Sequence, residues 1–220
     1  MLLSMNVIEL FSSIDGEGKR QGFLTTFLRL HDCNIRCSYC DTLYSYGPES
    51  TFESMSVQAV ADVIEQLENH RITVTGGEPL LQEPAIIELI DELTRRNARY
   101  DFNIETNGTI IPSFHRDNVW FTYDYKTPSS LAEDAMNLDI FKVATPADII
   151  KFVVGSMQDL DRMNEILKTY PTDAQIFVSP VWGNIEGATI IEYMKAHNWQ
   201  NVRFQLQIHK FIWDPDAKGV

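Results

Sequence analysis

Cysteine is scarce in this chain of 220 residues, which contains only three. An odd number of cysteines cannot be fully paired within one chain, so a disulfide scaffold is excluded as the basis of the fold. Basic residues are also few, because 18 Lys and Arg stand against 31 Asp and Glu and the net charge is −13. A surface of this sign repels phosphate, which argues against nucleic acid as a partner.

Long hydrophobic runs and flexible linkers are missing as well. No segment approaches the roughly 18 apolar residues of a membrane span, and residues 1–9 lack the basic and apolar regions of a signal peptide. We therefore expect a cytoplasmic protein with no membrane partner, in which thiols stay reduced. No Gly/Ser-rich tract divides the chain, and an apolar fraction of 44% is ordinary for a globular protein. A single domain over residues 1–220 is the expected organisation.

Apolar runs and helical periods alternate along the sequence. The predicted strands are 25–31, 71–75, 101–105, 120–125, 149–154, 175–179 and 202–207, and the predicted helices are 56–70, a helix opened by Pro84, 156–170 and 187–198. This alternation predicts an α/β fold with mostly parallel strands. Six or seven units fit either a partial (β/α)6-type barrel or a doubly wound sheet, and periodicity does not distinguish the two.

Unusual segments follow four of the predicted strands, at residues 75–79, 105–108, 124–126 and 179–182. In both architectures the loops after parallel strands gather at one face. We therefore expect the four segments to meet at the same mouth. Candidate cations for an anionic ligand are Arg29, Lys126, Lys151, Arg203, His209 and Lys210, which lie in apolar or turn-like contexts.

All three cysteines lie on one short stretch, with Cys33, Cys37 and Cys40 spaced C-x3-C-x2-C. Three thiolates this close suit a metal or an iron–sulfur cluster with one coordination position left open. A structural zinc site usually closes its shell with four protein ligands. The spacing therefore indicates a site where a further molecule binds.

The cysteine loop, with the aromatic Tyr39 before its third cysteine, is followed by Gly76-Gly77-Glu78-Pro79 after the next strand. In this order the two motifs resemble the radical S-adenosylmethionine superfamily. The resemblance implies a four-iron, four-sulfur cluster held by Cys33, Cys37 and Cys40, with S-adenosylmethionine on the fourth iron. One electron from the cluster would then cleave the sulfonium to a 5′-deoxyadenosyl radical.

Further segments narrow the resemblance. Residues 14–18 (Ile-Asp-Gly-Glu-Gly), Arg29, residues 105–108 (Glu-Thr-Asn-Gly) and residues 206–211 resemble, in order and over nearly the whole chain, the 7-carboxy-7-deazaguanine synthase family. The resemblance implies conversion of 6-carboxy-5,6,7,8-tetrahydropterin to 7-carboxy-7-deazaguanine with loss of ammonia. It also implies a partial (β/α)6-type barrel, with an N-terminal substrate-binding segment and a C-terminal closing tail.

The same resemblance implies a set of site residues. Substrate contacts are expected from Ile14, Asp15, Gly16, Arg29, Thr75, His209 and Val220, with Arg29 meeting a carboxylate through two nitrogens. Contacts to S-adenosylmethionine are expected from Tyr39, Cys40, Asp41, Gly77, Asp124, Tyr125, Lys126, Ser179, Pro180, Val181 and Trp182. Thr42 is the expected ligand of a magnesium ion, and no residue is assigned as general acid or base. This chain departs from the family at Asp15, where Gln is usual, and at residues 124–126, where Ser-Pro-Lys is common.

The resemblance further implies an electron donor such as flavodoxin or ferredoxin, and a homodimer. Two alternatives stay open. A glycyl-radical activating enzyme shares the first two motifs but lacks the early Asp-Gly-Glu-Gly and the His-Lys tail. A zinc or redox-sensing protein would complete a tetrahedral shell with His31 or His209.

Overall fold

The fold is built around one sheet of nine strands. The computed structural model describes residues 3–215 and 217–220. The strands are Ser4–Ile14 (β1), Leu24–Leu30 (β2), Glu53–Ser56 (β3), Arg71–Gly76 (β4), Asp101–Thr106 (β5), Val119–Lys126 (β6), Ile149–Val154 (β7), Gln175–Pro180 (β8) and Val202–Phe204 (β9). Their order in the sheet is β3-β1-β2-β4-β5-β6-β7-β8-β9.

Most of the sheet is parallel. Strand β1 pairs antiparallel with both β2 and β3, whereas every pair from β2–β4 to β8–β9 is parallel. The sheet order has β3 at one edge and β9 at the other, so the strands do not close into a full barrel within the described residues. The predicted single-domain α/β fold is confirmed, and the partial barrel is consistent with this topology.

Helices connect the parallel strands. They are Val57–Gln66 (α1), Glu83–Arg96 (α2), Ile140–Val143 (α3), Met157–Thr169 (α4), Gly187–Ala196 (α5) and His209–Ile212 (α6). Helix α1 begins after Ser56, whose hydroxyl accepts a hydrogen bond from the Ala59 N–H and so satisfies one of the free donors of the first turn. Its apolar stripe, including Val60 and Ile64, is fully buried against the sheet.

The ends of β2 and β4 pack closely enough to require glycine. Gly76 has φ +140°, and a Cβ there would collide with backbone atoms of Leu30. A Cβ on Gly77 would likewise collide with the backbone of Asp32, at the start of the cysteine loop. The two glycines therefore let the loop lie directly on the end of β4. Within the described residues, the helices are too short or too polar to cross a membrane.

Candidate active site

One cavity of about 260 Å³ lies at the carboxyl ends of the parallel strands. The cysteine loop, the loop between β1 and β2, and the C-terminal residues complete its wall. All four segments predicted to converge contribute to the lining, as Thr75, Glu105, Asp124 and Val181 show. The convergence expected from the strand order is therefore confirmed.

Most of the predicted site residues line this cavity. They are Ile14, Asp15, Gly16, Arg29, Cys33, Cys37, Tyr39, Cys40, Asp41, Thr42, Thr75, Gly77, Asp124, Lys126, Val181, Trp182, His209 and Val220. Three predicted residues lie outside the lining, namely Tyr125, Ser179 and Pro180. The buried Tyr125 ring packs on Phe152, and its hydroxyl donates to Glu133 at 2.9 Å, because alternate side chains of β6 face away from the cavity.

The donor set of the cysteine loop fits an iron–sulfur cluster. All three thiols are free and line the cavity. Two amide donors reach the sulfurs, since Thr42 N lies 3.4 Å from Cys40 Sγ and Asn107 Nδ2 lies 3.8 Å from Cys33 Sγ. Such N–H···S contacts stabilise thiolates that bind a cluster. Burial raises the pKa of Cys37 to about 11, so cluster binding must displace a proton there.

A single metal ion does not fit as well. Within residues 3–215 and 217–220, no three His, Cys, Asp or Glu side chains are grouped so that they could hold one ion. A four-iron cluster is wider than an ion and takes its thiolates from a larger circle. The zinc alternative therefore finds no ligand group in this part of the chain.

Glu78, in the Gly-Gly-Glu-Pro motif, fixes the residues beside the cysteine loop through hydrogen bonds. Its carboxylate is fully buried and accepts hydrogen bonds from Asn107 N at 2.7 Å, Leu80 N at 2.9 Å and Thr106 Oγ1 at 2.9 Å. Desolvation raises the pKa of Glu78, and these hydrogen bonds oppose the rise. Asn107 thereby keeps its amide against Cys33 and Asn34.

Paired charges on β6 and β7 also line the cavity. Lys151 Nζ lies 3.0 Å from Glu17 Oε1 and 3.5 Å from Asp124 Oδ2, and Lys126 Nζ lies 3.0 Å from the same Asp124 oxygen. Desolvation lowers the pKa of Lys151, but Glu17, Asp124 and Glu105 outweigh it and hold that pKa well above its ordinary value. The pKa of Asp124 is lowered, because both lysines outweigh its desolvation. Both lysines are therefore charged at neutral pH.

Asp15 and Glu105 are two further acidic residues that line the cavity. Asp15 is buried and accepts a hydrogen bond from Thr73 Oγ1 at 3.2 Å, while Glu105 accepts one from Thr75 Oγ1 at 3.2 Å. Desolvation first, and the Glu105 charge second, raise the pKa of Asp15 from 3.8 to about 7. Asp15 therefore carries a proton in a large fraction of molecules at neutral pH.

Arg29 lies on β2 at the cavity wall and is held by a neighbour. Its Nε donates to Glu9 Oε2 at 2.8 Å, and the Tyr44 hydroxyl donates to the same oxygen at 2.8 Å. A guanidinium has two further nitrogens in the same plane, which suit a carboxylate. The hydrogen bond to Glu9 therefore fixes the orientation of the two terminal guanidinium nitrogens.

The C-terminal residues reach across the cavity to the cysteine loop. Lys210 Nζ lies 3.3 Å from Asp41 Oδ2, and Lys218 Nζ lies 4.2 Å from the centre of the Tyr44 ring. Although desolvation raises it, Lys210 and the Thr42 hydroxyl bring the pKa of Asp41 below its ordinary value. Thr42 itself donates to Asp41 Oδ1 at 3.1 Å.

Several lining residues were not predicted as site residues. Glu17 and Glu105 belong to motifs quoted from the sequence, and Lys151, the only charge in the apolar strand Ile149–Val154, was named as a candidate cation but not as a substrate or cofactor contact. A lone lysine in a buried strand is the pattern that indicated Lys151 as a candidate, because such a charge needs partners. Asn107 also belongs to a quoted motif, residues 105–108, but the sequence does not indicate its contact with Cys33, because that contact depends on the fold.

Comparisons with known proteins agree with this site. A family model described as the radical SAM superfamily matches residues 29–153, more than half of the chain. The fold and the cysteine loop thus define a radical S-adenosylmethionine protein, which implies a four-iron cluster and S-adenosylmethionine as its cofactors.

Individual relatives indicate a narrower family within this superfamily. The 7-carboxy-7-deazaguanine synthase of Clostridium acetobutylicum is 37% identical, over 99% of this chain and 100% of the relative. That of Methanospirillum hungatei is 36% identical, over 96% of this chain and 86% of the relative. A crystal structure of QueE from Escherichia coli shares the fold, with a TM-score of 0.69 at 24% identity over 92% of this chain and 93% of the other. The chain belongs to the 7-carboxy-7-deazaguanine synthase family.

Proposed function

We propose that this protein is a radical S-adenosylmethionine lyase that converts 6-carboxy-5,6,7,8-tetrahydropterin to 7-carboxy-7-deazaguanine with loss of ammonia. The observation that carries the proposal is one shared cavity. It combines the loop of Cys33, Cys37 and Cys40 with Arg29 and with the segment of Ile14, Asp15 and Gly16. A radical reaction needs the cofactor and the substrate side by side in a place from which water is kept out.

The residues that line the cavity have different roles according to their position. Cys33, Cys37 and Cys40 hold the cluster, and Tyr39, Asp41, Gly77, Asp124, Lys126, Val181 and Trp182 surround S-adenosylmethionine. When bound, the cluster and S-adenosylmethionine supply one-electron radical chemistry. Gly77 allows the cysteine loop to lie close to the end of β4, because a side chain there would collide with the backbone of Asp32.

Substrate is oriented from the other side of the cavity. Arg29, fixed by Glu9, pairs with the substrate carboxylate through its two terminal nitrogens. The Ile14–Gly16 segment and Thr75 meet the pterin ring, whose amide-like edge both donates and accepts hydrogen bonds. Asp15, when protonated, donates where the carboxylate would only accept.

Further features belong to the same proposal. Thr42 would hold a magnesium ion, which would help to orient an oxygen-rich substrate. The N-terminal segment binds substrate and the C-terminal tail, with His209 and Val220, closes over it. Tyr125, Ser179 and Pro180 support the cofactor from outside the lining. The protein works as a homodimer in the cytoplasm, and a flavodoxin or ferredoxin donates the electron.

Turnover tests the proposal. Anaerobically reconstituted protein is given dithionite, S-adenosylmethionine and the carboxypterin, and the product is analysed by mass spectrometry. We expect the deazapurine from the wild type and none from Cys40→Ala, which cannot hold the cluster. Absence of product from wild type whose cluster is intact by absorbance and EPR would refute the proposal, and activation of a glycyl-radical polypeptide would then be the reaction to examine.

A further inference from the structure

Side chains bridge the chain after the last strand and the loop between β1 and β2. Within the described residues the sheet ends at β9, and the chain that follows β9 contacts the loop between β1 and β2. Gln205, which directly follows β9, is buried with its amide against the peptide of Gly18. Its Oε1 accepts from Gly18 N at 2.7 Å, and its Nε2 donates to Gly18 O at 2.9 Å.

A second amide bridges the same two segments. Gln21 Nε2 donates to Gly16 O at 3.1 Å and to Leu206 O at 2.5 Å. The backbone adds one bond, from Ile208 N to Gly16 O at 3.0 Å. Two glutamines therefore connect both ends of the chain at points that are adjacent to predicted substrate contacts.

His209 lies against the same loop. Its imidazole packs against Gly16 so closely that a Cβ on that glycine would collide with Nδ1. The Glu17 carboxylate, next in sequence, is held by Lys151 from β7. Residues 14–18, which we call the substrate segment, are thus fixed to the barrel on one side and to the C-terminal residues on the other.

We infer that Gln205 and Gln21 are positioning residues that join the substrate segment to the tail, defined as residues 205–215 and 217–220. The substrate segment and the tail are then positioned together in the cavity. Loss of either amide releases the tail from the substrate segment and weakens substrate binding, whereas the cysteine loop keeps its cluster. For its substrate, this inference rests on the proposed function.

Tryptic cleavage after Lys210 reports whether the tail is held. The Lys210 side chain is 9% exposed and pairs with Asp41, so trypsin reaches it only in molecules whose tail has opened. We expect Gln205→Met, which keeps the length and loses both hydrogen bonds, to speed this cleavage about tenfold without substrate. Gln21→Met, at a half-buried position, should act in the same direction, and it decides the question if Gln205→Met does not fold.

Steady-state kinetics separate positioning from stability. We expect KM for the carboxypterin to rise about tenfold in both variants. The value of kcat per cluster should change much less. Gln200→Met is the matched control, because that glutamine is exposed and its amide contacts Asn198, and it should behave as the wild type in both assays.

Two results would overturn the inference. One is unchanged cleavage and unchanged KM in both variants. The other is cleavage spread along the whole chain with KM unchanged, which would make the role structural. If the wild type does not turn over the pterin, the proposed function fails, but the cleavage rates without substrate still decide whether the two amides hold the tail.

Discussion

Asn107 is the side chain that links the wall of the cavity to the cluster loop. Glu78 holds its backbone, Asn34 accepts from its amide at 2.8 Å, and the same amide lies 3.8 Å from Cys33 Sγ. A hydrogen bond to a ligating sulfur withdraws electron density and makes a cluster easier to reduce. This contact is therefore placed to adjust the reduction potential of the cluster.

Asn107→Asp tests that role. The carboxylate can still accept the hydrogen bonds from Thr109, but it loses the donor to sulfur and adds a negative charge. We expect a lower cluster reduction potential in an EPR-monitored redox titration. Asn34→Asp is the control, because it adds the same charge on the cysteine loop and leaves the Asn107 amide in place. Equal potentials for Asn107→Asp and Asn34→Asp would contradict a contribution from the hydrogen bond.

Asp15 makes the stability of the protein depend on pH. Its pKa rises from 3.8 to about 7 on folding, mainly through desolvation. Between these two values the folded state holds a proton that the unfolded chain has released, so this carboxyl lowers stability as pH rises. Asp15→Asn removes the effect. The stability of Asp15→Asn relative to wild type should therefore grow from pH 4 to pH 8, by about 4 kcal/mol at most.

Urea unfolding of the two proteins at both pH values measures this difference. Asp117→Asn, at an exposed carboxyl, controls for the loss of one negative charge. A difference between Asp15→Asn and wild type that is the same at pH 4 and pH 8 would show that Asp15 does not keep its proton on folding.

Some strands are easier to predict from the sequence than others. The parallel strands from β4 to β8 are buried on both faces and read as apolar runs, so the predicted positions agree closely, and 149–154 agrees at both ends. Strand β1 was missed, because its cavity side carries Glu9 and other polar residues that interrupt the alternation. Strand β3 is only four residues long.

The end of β9 shows a different limit. Residues 202–207 were predicted as a strand, but β9 ends at Phe204. From Gln205 onward the chain turns towards Gly18 and Glu17, as the bonds from Gln205 and Gln207 show. Contacts between the two ends of the chain decide this boundary, and local propensity contains no information about them. The same holds for the pairs Lys210–Asp41 and Arg29–Glu9, which the sequence does not indicate.

The junction of β2 with β4 depends on Gly76. Alanine there would meet the Leu30 backbone and adopt φ +140°, which few residues tolerate. We expect Gly76→Ala to lower the free energy of unfolding by at least about 3 kcal/mol. Gly22→Ala, also at positive φ but with open space around it, should cost only about 1–2 kcal/mol. Urea unfolding compares the two, and equal costs would contradict the close packing at this junction.

Over the whole molecule, basic residues are few, and several of them are concentrated at the cavity. The chain carries a net charge of −13, yet Arg29, Lys126, Lys151 and Lys210 all line the same cavity. Apart from this cavity, an anionic substrate meets a mostly repulsive surface. Charge distribution and strand topology therefore coincide at one cavity, which most residues of the sequence motifs line.

The most direct measurement is an anaerobic crystal structure with the cluster, S-adenosylmethionine and the carboxypterin bound. We predict that the pterin lies between the cysteine loop and Ile14–Gly16, with its carboxylate paired to Arg29 and the tail closed over it. A pterin bound outside this cavity, or one whose carboxylate leaves Arg29 paired with Glu9 alone, would contradict the proposed function.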